Sequence, residues 1–106
     1  MKIFLDDERE APPGWTRVRW PEDVIFHLQN SEVSEISLDH DLSDDNHGTG
    51  YDVILWIEEQ CATNGYIPPI IHIHSANTSA RIKMELGLRS IQKIIQNNPK
   101  IQFTKH

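Results

Sequence analysis

Asp6 and Asp7 follow the apolar run Ile3-Phe4-Leu5, and Asp39 and Asp41 sit in the segment Ile36-Ser37-Leu38-Asp39-His40-Asp41-Leu42. A third apolar run, Ile70-Ile71-His72-Ile73-His74, ends at Ser75-Ala76-Asn77. Carboxylates are the ligands that Mg²⁺ and Mn²⁺ take most readily, usually one or two of them with water and phosphate oxygens completing the shell. Without a cation, carboxylates brought this close repel one another and some take up protons. The expected chemistry is therefore a divalent metal, Mg²⁺ or Mn²⁺, held by Asp6, Asp7, Asp39 and Asp41, acting on a phosphate. Acids after strands also serve simply as turn formers and helix caps. Two separate clusters, each closing a strand-like run, favour the metal.

The third run supplies groups of another kind. His72 and His74 are two positions apart, so in a strand they face the same way. Such a pair can bind a metal, exchange protons or hold a phosphate. His74, nearer the strand end, is the stronger catalytic candidate, whereas His72 reads equally well as a buried, hydrogen-bonded histidine. Ser75 offers a hydroxyl, and Asn77 or Thr78 can cap a following helix whose first N–H groups attract anions. Ser75 and Asn77 are phosphate candidates that also read as a capping pair. Arg81, one turn into that helix, can hold a phosphate bidentately or pair with Glu85 at i, i+4. Arg9 can clamp a phosphate or neutralise Asp6 or Asp7.

These groups need a scaffold that brings three strand ends to one place. Lys2 to Leu5 reads as a first strand and Thr16 to Trp20 as a second, separated by a loop marked by Pro12-Pro13-Gly14. Pro21, with Glu22 and Asp23 beside it, suits the first turn of a helix running to about Asn30, with Val24, Ile25 and Leu28 as its apolar stripe. Glu35 to Asp41 is the third strand-like element, and Ser43 to Thr49 is a polar loop. Tyr51 to Ala62 carries Val53, Ile54, Ile57 and Cys61 at helical spacing and stops at Asn64-Gly65. Ile70 to His74 is a strand, entered through Pro68-Pro69. A long helix is expected from about Thr78 to Asn97, with Ile82, Leu86, Ile91 and Ile94 or Ile95 inward. Pro99 ends it, and Ile101 to Phe103 is an edge strand or a tail.

Strands alternating with helices imply a small, open, mostly parallel α/β sheet with helices on both faces. Short connections and right-handed crossovers favour the strand order 2-1-3-4. In such a sheet the carboxyl ends of the strands share one edge, where ligands bind.

The chain has 106 residues, which suits one domain spanning 1–106, and 38% of them are hydrophobic. Its formal net charge is −6, which disfavours an extended nucleic-acid duplex as partner. A small phosphorylated ligand remains compatible, because a bound cation and a few basic groups reverse the local field. Cys61 is the only cysteine, and no signal-like or membrane-spanning apolar stretch stands out, so a cytoplasmic protein without a membrane partner is expected.

The arrangement resembles receiver domains, which carry a paired acid after strand one, an acid after strand three and a Ser or Thr after strand four. Asp6-Asp7, Asp39 and Ser75 take those places, and Asp41 falls where receivers offer a backbone carbonyl to the metal. The chain departs from receivers in lacking the fifth βα unit with its Lys, and in placing His-x-His before the Ser. It is more similar to the cyclic-phosphate processing receiver-like domains, from Lys2 to about Leu88. That similarity rests on Leu5-Asp6-Asp7-Glu8-Arg9, Ser37-Leu38-Asp39-His40-Asp41-Leu42, Gly48-Thr49-Gly50-Tyr51-Asp52 and His72-Ile73-His74-Ser75-Ala76-Asn77. The resemblance implies a truncated receiver fold and a role in processing cyclic phosphates on nucleotides or RNA ends.

Two classes of function follow. In one, the protein is a metal-dependent phosphoesterase opening a cyclic phosphate of a cyclic nucleotide or RNA terminus, with His74, and with it His72, moving the proton. Asp39 either ligates the metal or attacks phosphorus itself. In the other, it is a non-enzymatic phosphoacceptor or a module that binds a phosphorylated ligand.

Overall fold

The computed structural model describes residues 1–40 and 48–97. Asp41, most of the polar loop after it, Pro99 and the Ile101 to Phe103 segment lie outside the described residues. Four strands and three helices follow in chain order: β1 (Lys2–Leu5), β2 (Thr16–Val18), α1 (Pro21–Asn30), β3 (Glu35–Leu38), α2 (Gly50–Asn64), β4 (Ile70–Ile73) and α3 (Thr78–Asn97). The sheet has the order β2-β1-β3-β4 and every pairing is parallel, as the sequence implies. The second strand is shorter than expected. The carbonyl of Trp20 already accepts from Asp23 N at 3.0 Å, so the chain is turning into α1 by then.

One face of the sheet and all three helices share a core. Ile3 and Leu5 of β1 and Ile36 and Leu38 of β3 pack with Val24 and Leu28 of α1, Val53, Ile54, Ile57 and Cys61 of α2, and Met84 and Ile91 of α3. Helices were expected on both faces; the described helices cover one. Crossover handedness gives the reason. The steps β2 to β3 and β3 to β4 run in the same direction across the sheet, so right-handed connections put α1 and α2 on the same side. Only the step from β1 to β2 runs the other way, and a loop makes it.

The long helix α3 turns Ile91, Ile94 and Ile95 inward as expected, but its first half presents a different stripe. Ala80, Met84 and Ile91 are buried, with Leu88, Ile94 and Ile95 packed beside them, whereas Ile82 and Leu86 are each 55% exposed. Positions 80, 84, 87 and 91 form one helical face, and 82 and 86 lie nearly opposite. Gly87 marks the contact line, because a Cβ there would run into Ile54 of α2. The first half of the stripe was obscured because its inward positions are filled by small or flexible residues, Ala80, Met84 and Gly87, rather than by branched ones.

On the other face the register lays side chains out in rows. Lys2, Glu35 and Ile70 form one row, and Phe4, Ser37 and His72 form the next. The ladder continues one step past the strands, with Asp39 N donating to Leu5 O at 3.2 Å and His74 N donating to Leu38 O at 3.0 Å. Asp6, Asp39 and His74 therefore make a third row at the carboxyl edge.

Candidate functional site

The third row is where the sequence candidates meet. One ligand atom each from Asp6, Asp39 and His74 lie within 4.8 Å of one another. Asp6 is 1% exposed and Asp39 6%, which is unusual for carboxylates. The chain fixes Asp6 locally: its Oδ1 accepts from Glu8 N and from Arg9 N, each at 2.8 Å. Its Oδ2 lies 3.2 Å from His74 Nε2 and 3.8 Å from Arg9 Nε. Asp39 is backed by the start of α2, where Gly50 lets the helix touch down; a Cβ there would overlap the Asp39 carbonyl oxygen. Thr49 and Asp52 hold that helix end in a capping box, with Thr49 N donating to Asp52 Oδ2 at 2.7 Å.

His74 is clamped from three sides. Its ring stacks on Phe4 with centroids 4.2 Å apart and planes 5° from parallel. Its Nδ1 is 2.7 Å from Ser37 Oγ, and its Nε2 faces Asp6. Burial pushes its pKa below the ordinary histidine value, against the pull of the nearby Asp39 and Asp6 charges. That shift favours the neutral ring, the form that ligates metals.

The other candidates divide. Arg9 reaches the site: besides its contact with Asp6, its Nη1 donates to the carbonyl of His74 at 3.1 Å, and half of its side chain stays open to solvent. Asp7 follows on the loop, half-buried, and is not one of the three converging residues. Asp41 lies outside the described residues. His72 points the same way as His74 from one row back along the strand, where it is more exposed and its Nε2 bonds Glu35 Oε1 at 2.9 Å. Ser75 and Asn77 shape the start of α3: Ser75 Oγ accepts from Asn77 N at 3.1 Å, and Asn77 Oδ1 accepts from Ala80 N at 3.0 Å. Arg81 is exposed and pairs with Glu85 at 3.7 Å.

Ser37 and Phe4 were missed as site residues. A simple rule finds them: in a strand, the residue two positions back lies on the same face. Phe4 stands two before Asp6, and Ser37 two before Asp39. Ser37 is also a lone polar residue between Ile36 and Leu38 in a central strand.

The three donors suit a divalent ion. Adjacent ligands of an octahedral ion at 2.1 Å are about 3 Å apart and opposite ones about 4.2 Å. The 3.2 Å between His74 Nε2 and Asp6 Oδ2 is of the first kind, and the 4.8 Å limit on the whole group needs only small side-chain adjustments to reach the second.

A protein-family model described as the Cyclic-phosphate processing Receiver domain matches residues 1–90. No curated protein and no solved structure matches the chain. Among the described residues, no helix is long and apolar enough to cross a membrane.

Proposed function

We propose a function from one premise: the chain belongs to the cyclic-phosphate processing receiver domain family. The protein is a metal-dependent phosphoesterase that opens a cyclic phosphate, on a cyclic nucleotide or at an RNA end. The observation that carries the reading is the convergence of Asp6, Asp39 and His74 at the carboxyl edge of the sheet. These three residues hold the cation. A set of two carboxylates and one imidazole places Mn²⁺ ahead of Mg²⁺, because imidazole suits the softer ion. When bound, the cation neutralises phosphoryl charge and makes a coordinated water more acidic.

The remaining steps belong to the chain. Arg9, anchored on Asp6 and on the His74 carbonyl, turns its free donors towards a phosphate oxygen. The backbone clamp on Asp6 leaves its Oδ2 for the ion. In the overall reaction a water oxygen bonds to phosphorus, one ring P–O bond breaks, and the departing oxygen takes a proton. His74, stacked and neutral, serves as a ligand, and His72 takes no part in the site.

The test is a panel of 2′,3′-cyclic, 3′,5′-cyclic and cyclic oligonucleotide phosphates with Mn²⁺ or Mg²⁺, with and without chelator. Ring opening that stops with chelator and returns with Mn²⁺ is expected. Turnover that ignores the chelator overturns the metal role. The position of Asp39 after β3, where receivers carry their phosphoacceptor, supports a second reading as a non-enzymatic phosphoacceptor. Incubation with acetyl phosphate and Mg²⁺ separates the two, because stable labelling of Asp39 with no turnover of any cyclic phosphate selects the acceptor.

A further inference from the structure

We propose that Ser37 is a positioning residue that lets His74 exchange tautomers as a cation comes and goes. The inference rests on the metal reading above and goes beyond it to a residue and a proton.

The geometry leaves His74 little freedom except in where its proton sits. Stacking on Phe4 fixes the ring plane, and the two ring nitrogens face Ser37 and Asp6. An ionised carboxylate only accepts hydrogen bonds, whereas a hydroxyl both donates and accepts. Without a cation, Nε2 carries the proton and donates to Asp6 Oδ2, and Nδ1 accepts from the Ser37 hydroxyl. When Nε2 gives its lone pair to a cation, the proton must sit on Nδ1. Ser37 then rotates its O–H away and accepts from Nδ1–H. The same oxygen serves both states without moving.

A metal-bound histidine is usually supported by a carboxylate, a backbone carbonyl or a water, and Ser37 differs from the first two. A carboxylate or a carbonyl accepts only and would hold the Nδ1–H tautomer permanently. The free site would then set a bare Nε2 against the Asp6 carboxylate, two acceptors face to face. Ser37 removes that conflict. It is 7% exposed and sits in the central strand β3, so no loose water is needed to take its place.

Two-bond ¹⁵N–¹H correlation spectra of the full chain read the tautomer directly, with Zn²⁺ as a diamagnetic probe at one fixed pH where the ring is neutral. Wild-type protein in chelator is expected to show His74 protonated on Nε2, with Nδ1 carrying the shift of a nitrogen that accepts a hydrogen bond. Zn²⁺ should move the proton to Nδ1. In Ser37→Ala the Nδ1 shift should become that of an unbonded nitrogen, and Zn²⁺ affinity should fall about 10–100-fold, the usual effect of losing an outer-shell partner. Ser37→Thr, which keeps the hydroxyl, should restore both. Three results overturn the proposal and leave the metal reading intact: wild type protonated on Nδ1 in chelator, Zn²⁺ bound with Nε2 still protonated, or Ser37→Ala binding Zn²⁺ as tightly as wild type. Wild type that binds no Zn²⁺ overturns both.

Discussion

His72 in β4 and His74 one step past its end lie on the same face, and each bonds a β3 residue one row back. His72 takes Glu35 and His74 takes Ser37, through the same diagonal step of the parallel register. One row of displacement changes their chemistry. The side chain of His72 is 50% exposed and reaches back to the row of Lys2 and Glu35, whose charges meet water. The side chain of His74 is 16% exposed, roofed by Phe4 and set against a buried carboxylate. A charge-assisted bond in water contributes little to stability, while the same contact under cover sets protonation states. The strand repeats a motif, and burial decides which copy is chemical.

The strongest way to break this comparison is to remove an acid from the upper row. Asp39→Asn should abolish chelator-sensitive turnover and keep the fold, as checked by activity and circular dichroism. Losing an outer-shell partner of a metal costs about 10–100-fold in affinity, so losing a direct ligand should cost more. Full activity in the variant would leave Asp39 without a role.

Next come the two histidines themselves. His74→Ala should weaken Mn²⁺ binding first, with excess Mn²⁺ recovering part of the turnover, and should lower stability by roughly 0.5–3 kcal/mol through the lost ring packing. His72→Ala should leave turnover within about twofold of wild type, as expected of an exposed pair. Calorimetric titration beside a turnover assay measures both. Equal losses in the two variants would mean that the row difference carries no chemistry.

The strand ladder was legible in advance because alternation and crossover handedness are local or topological rules. The apolar runs at Ile3 to Leu5, Ile36 to Leu38 and Ile70 to Ile73 became strands in the order expected, and the meeting of Asp6 with Asp39 followed from that order. What was not legible depended on neighbours. The inward face of α3 depended on how closely Gly87 approaches Ile54, which side-chain type alone does not reveal. The one-sided helical cover followed from a loop replacing a crossover helix. Ser37 gained its role from the row it shares with Phe4 and His72, and Arg81 turned to Glu85 rather than to the site.

A third measurement uses pH. The pKa of His74 is lowered on folding because burial disfavours the charged ring. The unfolded chain therefore takes up the proton first, at about pH 6.5. This group's share of stability is present above that pH and is lost as pH falls from there to the folded value. Denaturant unfolding in chelator from pH 8 to pH 5 should show wild type losing stability across this window, and His74→Ala losing less. Identical slopes would show that the ring is not held neutral.

The smallest effect belongs to the lower row. Glu35 has its carboxyl pKa lowered chiefly by the hydrogen bond from His72, helped by Lys2 and opposed by slight desolvation. Both contacts are at the surface: Lys2 Nζ lies 3.4 Å from Glu35 Oε2, and His72 Nε2 lies 2.9 Å from Oε1. His72→Ala removes the larger cause, so a carboxyl ¹³C titration should show the Glu35 midpoint rising towards the ordinary carboxylate range. Lys2→Ala should raise it by less. Added salt should shrink the Lys2 effect, since exposed charges are screened within about 10 Å at 0.1 M ionic strength. The His72 effect, made by direct contact, should persist. If the Glu35 midpoint follows Lys2 instead, the lower row is held by the lysine, and the His72–Glu35 contact does not mirror that of His74 with Ser37.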